Sequence, residues 1–466
     1  MGQWVPIPLT EKLFLNAKDA MLTRGSAALE NAFQNELGGI SRFPGLTEFT
    51  TLGGNAETYL HEWKGDLIAV SSSRVWRITQ DGTVTEVTGA PVAGAGRVVF
   101  DKTPNELLMA AGGAIIRLAA AKTEILSPDA PQSTHVGYLG GYAVAIETNT
   151  GLFYNSGAND FRVWNPVDVF AADSRPDFLN ALLITPYNEM LLSGPDSLEQ
   201  FDRLSQGSST PFARRWGVGI GVYAPYTLTF IDNTAWCVNS YREFVRVSAQ
   251  SALPVSDDIR GNVLEPADNW DGAWAAPMLI SGQKFVLLQL PKATNSYGTK
   301  GITLLYNYRQ QKWFSLYGWD EASHGPTGWG GTSYYSLWGR HFVGGHGVVY
   351  ELKSDVYQNA GKVQRVIWRS GHLDQGEARM DNLSLRLKRG LANSNNDRHL
   401  ISVRVLLGNR TWTKWRRQDL GRFGETEMWV DFGMIGCAST FQIEVDMTDA
   451  AEFELVRAKA LLTALG

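Results

Sequence analysis

The fold is decided by the stretch from Ala171 to Asn239, which reads AADSRPDFLNALLITPYNEMLLSGPDSLEQFDRL over 171–204 and SSTPFARRWGVGIGVYAPYTLTFIDNTAWCVN over 208–239. Apolar runs of roughly four to seven residues alternate with Gly, Pro, Asn and Asp, which is the pattern of β-strands separated by turns. These runs are too short for a persistent helix. The stretch therefore predicts an all-β chain.

One structural theme occurs twice within this stretch. It consists of a buried strand, a tight turn and a half-polar strand, and its copies occupy residues 190–201 and 228–238. Copies spaced roughly forty residues apart are typical of β-propeller blades, each of which is a small twisted antiparallel sheet.

Similar modules fill residues 51–355, for which we predict a six- or seven-bladed β-propeller-like domain. Four-strand meanders are indicated over 59–87, 97–126, 135–164 and 276–316, while a last module at 333–352 looks incomplete. Ring closure explains the tandem order, because a lone four-stranded sheet leaves apolar faces and strand edges uncovered.

Residues 1–50 are predicted to be an N-terminal arm followed by a short helix. Pro6 and Pro8 favour an extended arm over 1–10. Over 26–39, Ser26 can cap a helix whose apolar face includes Leu29 and Phe33. The alternative is an irregular segment pinned by those two side chains. A Pro-Gly turn is predicted at 44–45, with the glycine supplying a positive φ.

Residues 356–466 are predicted to be an appended C-terminal β-sandwich, because apolar and polar residues alternate cleanly along several segments. This region is rich in arginine. The basic side chains are either solvated strand positions or a local contact surface for DNA or an acidic neighbour. The candidate interface residues are Trp4, Arg369, Arg389, Trp412, Trp415, Arg416 and Arg417, since Trp and Arg concentrate binding energy at interfaces.

The bulk composition argues against several classes of protein. The net charge is -5 and the pI is about 5.9, so no global basic field attracts nucleic acid. Cys237 and Cys437 are the only cysteines, and both are predicted to be small buried hydrophobes rather than a disulfide. No apolar run approaches the roughly 18 residues of a membrane span, and residues 1–16 do not have the charged start and continuous apolar core expected of a secretion signal.

We find no pattern for a catalytic, metal or cofactor site. The glycines of 217–221 precede no helix and indicate close backbone approach within a sheet rather than a phosphate loop. His341 and His346 lack further metal ligands nearby. The acid pairs 173/177 and 257/258 leave open a glycan-binding or glycan-hydrolysing propeller, and a cytoplasmic scaffold is a third possibility.

An ordered set of short motifs resembles the packaged-DNA stabilisation proteins of short-tailed bacteriophages, also called tail hub or tail nozzle proteins. The resemblance covers about the first 350 residues. Its motifs are Asn31-Ala32-Phe33-Gln34-Asn35, Arg42-Phe43-Pro44-Gly45-Leu46, Ser174-Arg175-Pro176-Asp177, Ser197-Leu198-Glu199-Gln200-Phe201, and Thr210-Pro211-Phe212 before Gly217 to Gly221.

The resemblance implies a non-enzymatic virion protein of the phage tail that uses no cofactor and is assembled in the host cytoplasm. Family members form a hexameric ring below the portal and its adaptor, extend the DNA channel and retain the packaged genome. They also contact a needle or plug and fibres or spikes. We therefore expect packaged DNA to pass without specific binding, and no insertion into a membrane. A mildly acidic chain suits such a conduit, because each neutralised phosphate would add adhesion.

Overall fold

The computed structural model describes residues 2–9, 28–172, 175–204, 210–248, 251–388, 398–421, 425 and 428–465, and it confirms the all-β prediction. Helical structure in these ranges is limited to α1 (Asp257–Ile259) and a π-helical turn, Arg260–Leu264. The N-terminal strands are β1 (Gln3–Ile7), β2 (Ala28–Glu30), β3 (Ala32–Gln34), β4 (Ile40–Arg42) and β5 (Gly45–Thr51).

Seven units of four antiparallel strands form the blades of the propeller, and a parallel pairing between the fourth strands of blades 1 and 2 joins these two into one eight-stranded sheet. Blade 1 consists of β6 (Thr58–Trp63), β7 (Asp66–Ser71), β8 (Arg74–Ile78) and β9 (Val84–Gly89), and blade 2 of β10 (Val99–Lys102), β11 (Leu107–Ala110), β12 (Ile116–Ala119) and β13 (Lys122–Ile125). Blade 3 consists of β14 (Val136–Leu139), β15 (Tyr142–Ile146), β16 (Leu152–Gly157) and β17 (Asp160–Ala171). Blade 4 consists of β18 (Ala181–Ile184), β19 (Glu189–Ser193), β20 (Leu198–Arg203) and β21 (Phe212–Val218). Blades 5 to 7 are β22 (Thr229–Ile231), β23 (Thr234–Val238), β24 (Phe244–Ser248), β25 (Ser251–Pro254); β26 (Trp274–Ile280), β27 (Gln283–Thr294), β28 (Lys300–Asn307), β29 (Lys312–Asp320), extended by β30 (Gly325–Gly328); and β31 (Ser333–Leu337), β32 (Arg340–Gly344), β33 (Val348–Lys353).

The fourth strand of blade 7 comes from the other end of the propeller sequence. Strand β5 pairs antiparallel with β33, from Val348 opposite Thr51 to Lys353 opposite Gly45. This explains why the last module looked incomplete in the sequence. The ring is therefore closed by main-chain hydrogen bonds between its first and last segments, in addition to side-chain packing.

Each pair of neighbouring blades shares a hydrophobic cluster, and together these clusters run round the whole ring; the cluster of blades 6 and 7 also includes the core of the C-terminal strands. Burial between blades is what makes individually unstable sheets stable together. Representative pairs are Trp63 and Met109 (blades 1 and 2), Leu108 and Ala143 (2 and 3), Phe153 and Phe201 (3 and 4), Leu191 and Cys237 (4 and 5), Trp236 and Trp313 (5 and 6), Met278 and Val343 (6 and 7), and Phe342 and Leu60 (7 and 1).

The C-terminal strands form the predicted β-sandwich. They follow β34 (Gln358–Asn359) and β35 (Lys362–Val363), which extend blade 7, and are β36 (Val366–Arg369), β37 (Leu373–Leu387), β38 (Leu400–Leu407), β39 (Thr411–Trp412), β40 (Arg416–Asp419), β41 (Trp429–Asp431), β42 (Gly436–Met447) and β43 (Glu454–Ala464). One sheet has the order β40-β38-β42-β36-β2, and the other β41-β37-β43-β1. Strand β37 pairs with β42 and then with β43, so the two sheets share it.

The predicted helix over 26–39 is wrong. Residues 28–30 and 32–34 are strands, separated by Asn31, whose positive φ of 51° breaks any helix. Ser26, the predicted cap, lies outside the described residues. Strand β2 pairs with β36 of the sandwich and, through Glu30 and Ser315, with β29 of blade 6. These long-range pairings override a local pattern that is compatible with a helix.

The N-terminal arm is extended as predicted, but it is a strand of the sandwich rather than a free segment. Strand β1 pairs with β43, with Pro6 opposite Lys459. Proline is tolerated there because β1 is an edge strand and one side of it needs no ladder hydrogen bond. The segments before the propeller are thus built into the domain that follows it.

Candidate interaction surface

Arg404 lies between two of the predicted interface tryptophans. Its guanidinium carbon is 4.4 Å from the centroid of the Trp412 ring and 4.5 Å from that of Trp415. Strand β38 carries Arg404, while β39 and the loop after it carry the two rings. A guanidinium over an aromatic face gains electrostatic attraction from the ring quadrupole, so this stack fixes three side chains on the sandwich surface.

Glu444 lies beneath this stack and has an exposed fraction of 0%. Its carboxylate accepts the Nε–H of Arg404 at 2.7 Å and the Nε–H of Arg369 at 2.6 Å. The register explains the arrangement, because β42 runs between β38 and β36 and places Glu444 opposite both arginines. Two charge-assisted contacts compensate the cost of burying the carboxylate.

A second charged group continues the same network towards the propeller. Arg365 donates its Nε–H to Asp446 at 3.0 Å. Nearby, the hydroxyl of Tyr297 in blade 6 donates to the Glu30 carboxylate at 2.8 Å. Burial raises the pKa of Glu30, and the Tyr297 hydrogen bond partly opposes that rise. These arginines therefore serve contacts inside the molecule more than they serve solvent.

Trp4 lies on the other sheet of the sandwich, away from the Glu444 group in the strand order. Lys459 is 4.2 Å from the centroid of the Trp4 ring and 4.0 Å from that of Trp429. The exposed fraction of Trp4 is 43%, so the ring is available to a neighbour while its other contact fixes it in place.

The remaining described candidates do not contribute to the Arg404 stack. Arg416 donates to the carbonyl oxygen of Phe432 at 2.6 Å, and Arg417 is exposed on edge strand β40. Arg389 lies outside the described residues. The structure thus groups Arg369, Trp412 and Trp415 around Arg404. Arg416 and Arg417 lie on the adjacent strand, opposite Val403 and Ser402, and Trp4 lies on the other sheet. Glu444, which organises the group, was missed because an acidic residue in an alternating strand ordinarily faces solvent.

Three motifs that are distant in the sequence meet at the start of blade 4. Asp177 accepts the backbone N–H of Asp196 at 2.9 Å and the hydroxyl of Ser197 at 3.0 Å. A Cβ on Gly221 would overlap the backbone at Pro195. The interpretation of the 217–221 glycines as sites of close approach is confirmed for Gly221. Ser174 and Asp173 lie outside the described residues.

The residues considered for chemistry are dispersed. His341 is 2.7 Å from the hydroxyl of Tyr334, while His346 forms a β-bridge with Glu57. Within the described ranges, no three His, Cys, Asp or Glu side chains are grouped to hold a metal ion. Asp257 and Asp258 lie in α1, beside a groove between blades 5 and 6 rather than in a central pocket.

The two cysteines differ in environment. Cys237 is buried as predicted, and burial raises its pKa to about 12. Cys437 is exposed, so the prediction that it is buried is wrong; it lies near the start of β42, where the strand has not yet entered the core. In the ranges described, neither forms a disulfide, and no helix there is long and apolar enough to cross a membrane.

Arg97 is a functional candidate that the sequence did not reveal. It precedes blade 2, yet its guanidinium carbon lies 4.9 Å from the Tyr59 ring of blade 1 and 4.7 Å from the Trp274 ring of blade 6. It also donates to the carbonyl oxygen of Thr332, just before blade 7. With an exposed fraction of 8%, Arg97 reaches across the ring and ties four blades together.

The seven blades, the closing N-terminal strand and the C-terminal sheets define a β-propeller protein with an appended β-sandwich. The family model described as the β-propeller of bacteriophage P22 Gp10 matches residues 27–357, and the chain belongs to this phage stabilisation family. It is therefore a phage packaged-DNA stabilisation protein and a component of the virion.

Solved propeller structures resemble the chain only distantly. A streptogramin B lyase structure is 10% identical and covers 66% of this chain and 97% of its own, with a TM-score of 0.45. The virginiamycin B lyase from Staphylococcus aureus is 10% identical, covers 66% and 98%, and has a TM-score of 0.45. YCF48 from Cyanidioschyzon merolae is 11% identical, covers 66% and 99%, and has a TM-score of 0.43. No curated protein matches the chain.

Proposed function

We propose that this protein is a non-enzymatic hub, or nozzle, of the phage tail. Copies of it form a ring, in our proposal a hexamer, below the portal and the head-to-tail adaptor. The ring extends the DNA channel, retains the packaged genome until ejection and anchors a needle or plug and fibres or spikes. Membership of the packaged-DNA stabilisation family supports this role.

The observation that carries the proposal is the seam between propeller and sandwich. Asn31 receives the backbone N–H of Tyr317 in blade 6 on its side-chain oxygen at 2.9 Å and donates its side-chain amide to the carbonyl oxygen of Arg365 at 2.7 Å. Strand β2 adds main-chain pairing to both domains, with β29 of blade 6 and with β36 of the sandwich. A part that holds DNA under pressure has to resist separation of its domains, and this seam provides main-chain bonds that do so.

The charge distribution is consistent with a channel through which DNA passes freely. Residues 51–355 contain 22 Lys and Arg against 29 Asp and Glu, a net charge of −7, while residues 356–466 contain 16 against 13, a net of +3. Three of the sandwich arginines, Arg365, Arg369 and Arg404, are already held in ion pairs. These ion pairs and the net negative charge of residues 51–355 favour weak adhesion to DNA.

Electron microscopy of purified phage tails tests the proposal. We expect density for the propeller and sandwich in a ring directly below the adaptor, and particles made without the protein should package DNA and then lose it. Mass photometry of the purified protein checks the number of copies in the ring. Tails that are complete without this chain would contradict the proposal.

A further inference from the structure

A groove at the boundary between blades 5 and 6 has the size of a small-ligand site. Its volume is about 480 Å³, within the range of roughly 300 to 1,000 Å³ that is usual for ligand pockets. One side is formed by the end of β25 and by α1, and the other by the turn between β28 and β29. This groove plays no part in the tail role proposed above.

The floor of the groove is aromatic. Trp236 packs against Tyr306 and Tyr308, with its ring centroid 5.8 Å from each of theirs. At the rim, Leu253 has an exposed fraction of 58%, beside the exposed Pro254. Trp236 and Tyr306 are buried behind the half-buried ring of Tyr308, so the apolar surface that a ligand with one apolar face can cover is formed by Tyr308 and Leu253.

The polar groups of the groove include both a donor and an acceptor. The guanidinium of Arg246 lies 5.7 Å from the centroid of the Tyr308 ring, and its buried Nε has no hydrogen-bond partner among the described residues. Asp257 is exposed at the mouth, where its carboxylate is without a partner in the described part of the chain. Gln311 adds an exposed amide. Asp257 and Gln311 are exposed, so a ligand can form hydrogen bonds with them, whereas Arg246 can donate to a ligand only through its terminal nitrogens because its Nε is buried.

The chemistry of the lining excludes several ligand classes. Asp257 and Asp258 repel an acidic ligand, and Arg246 already occupies the position over the Tyr308 ring where a cationic ligand would bind. A peptide strand adding to the edge of blade 5 would meet Pro254, which has no N–H to offer at the end of β25 next to the groove. A neutral ligand rich in hydroxyl groups remains, because a hydroxyl both donates and accepts.

We propose that this groove binds a neutral saccharide. Sugar hydroxyls donate to Asp257 and accept from Arg246 and Gln311, while the apolar face of the sugar ring packs on the half-buried ring of Tyr308 and on Leu253. The proposal concerns binding and includes no cleavage of the sugar. It places a carbohydrate-recognition site on the outer rim of a virion protein, and it holds whether or not the chain forms the tail hub.

An array of neutral oligosaccharides built from glucose, galactose, mannose and rhamnose tests the site, followed by calorimetry with the best binder. We expect R246M to weaken binding by tenfold or more, because a hydrogen bond to a charged group is lost. The matched control is R242M in the same blade, where Arg242 lies 5.1 Å from the centroid of the Tyr223 ring, away from the groove. R242M should leave the affinity unchanged.

A second variant, D257N, keeps the proposal testable if R246M fails to fold. D257N changes an exposed carboxylate and should also weaken the saccharide by severalfold while leaving the circular dichroism spectrum and the unfolding temperature unchanged. The proposal is overturned if the wild-type chain retains no oligosaccharide of the array, if R242M and R246M reduce affinity equally, or if only peptides from a control library bind the groove.

Discussion

The side-chain amide of Asn31 donates to the carbonyl oxygen of Arg365 at 2.7 Å, across 334 positions of the sequence. The same side chain accepts from Tyr317, and its backbone N–H donates to the carbonyl oxygen of Ser315 at 2.9 Å. One residue thus joins blade 6 to the sandwich through three hydrogen bonds. The positive φ of Asn31 orients its backbone N–H and its side chain for all three hydrogen bonds, which explains why an asparagine suits the position.

We expect N31A to lower the free energy of unfolding by roughly 2–4 kcal/mol, because buried hydrogen bonds are lost and alanine is strained at this φ. Urea denaturation measures the change. N149A is the control, since Asn149 has a φ of 62° but is exposed. The control isolates backbone strain, so equal losses in the two variants would contradict the role of the seam.

E444Q should destabilise the sandwich by roughly 3–5 kcal/mol, because Arg369 and Arg404 would lose the carboxylate that compensates them in a buried site. Chemical denaturation monitored by tryptophan fluorescence reports on the same region. E452Q is the matched control, since Glu452 pairs with Lys388 at the surface and should cost no more than about 1 kcal/mol. A loss in E444Q as small as in E452Q would show that the buried carboxylate is dispensable.

Stability should fall as the pH drops below 6.5, in part through His135. Burial lowers the pKa of His135 to about 3. As the pH falls below 6.5, this imidazole therefore binds a proton in the unfolded chain but stays neutral in the folded chain. Between pH 8 and pH 5 this single group should cost about 2 kcal/mol. H135F keeps a ring to stack on Tyr226 and should show a shallower loss over this range. An unchanged pH profile for H135F would rule out this explanation.

Asp101 should have the opposite effect to His135 and increase the stability of the folded chain as the pH falls. Burial raises its pKa to about 6, although it accepts the backbone N–H of Tyr138 at 2.6 Å. The folded chain therefore binds this proton more tightly, and protonation adds stability as the pH falls from above 6 towards 3.8. The stability of D101N relative to wild type should decrease by about 1 kcal/mol between pH 8 and pH 5. A difference that is constant with pH would contradict the assignment.

The variant G45A tests why a glycine is needed at the turn where β5 begins. A positive φ was predicted there, but Gly45 is not among the positive-φ residues, and a Cβ would instead overlap the carbonyl oxygens of Val356 and Gln358. We expect G45A to lower the unfolding free energy by roughly 1–3 kcal/mol through overpacking. Thermal unfolding measures the loss. G330A, where a Cβ meets open space, should have little effect, and equal losses would refute the packing explanation.

The blades could be predicted from sequence because their signals are local. Turns such as Asp81-Gly82 and apolar runs such as 190–192 specify each sheet from neighbouring residues. The closing strand β5 and the strands on either side of Asn31 could not be predicted from sequence, because their partners lie hundreds of residues away. The spacing of Leu29 and Phe33 is also equally compatible with a helix. The grouping of Arg369, Trp412 and Trp415 likewise depends on register, which periodicity does not fix.

The pairing of β5 with β33 also constrains how the protein is made. The two strands are about 300 residues apart, so β5 leaves the ribosome long before its partner exists. Until β33 is synthesised, β5 is an exposed edge open to pairing with other chains. Slow, aggregation-prone refolding of the full chain should result, and a fragment that ends before Val348 should remain an open, adhesive array of sheets.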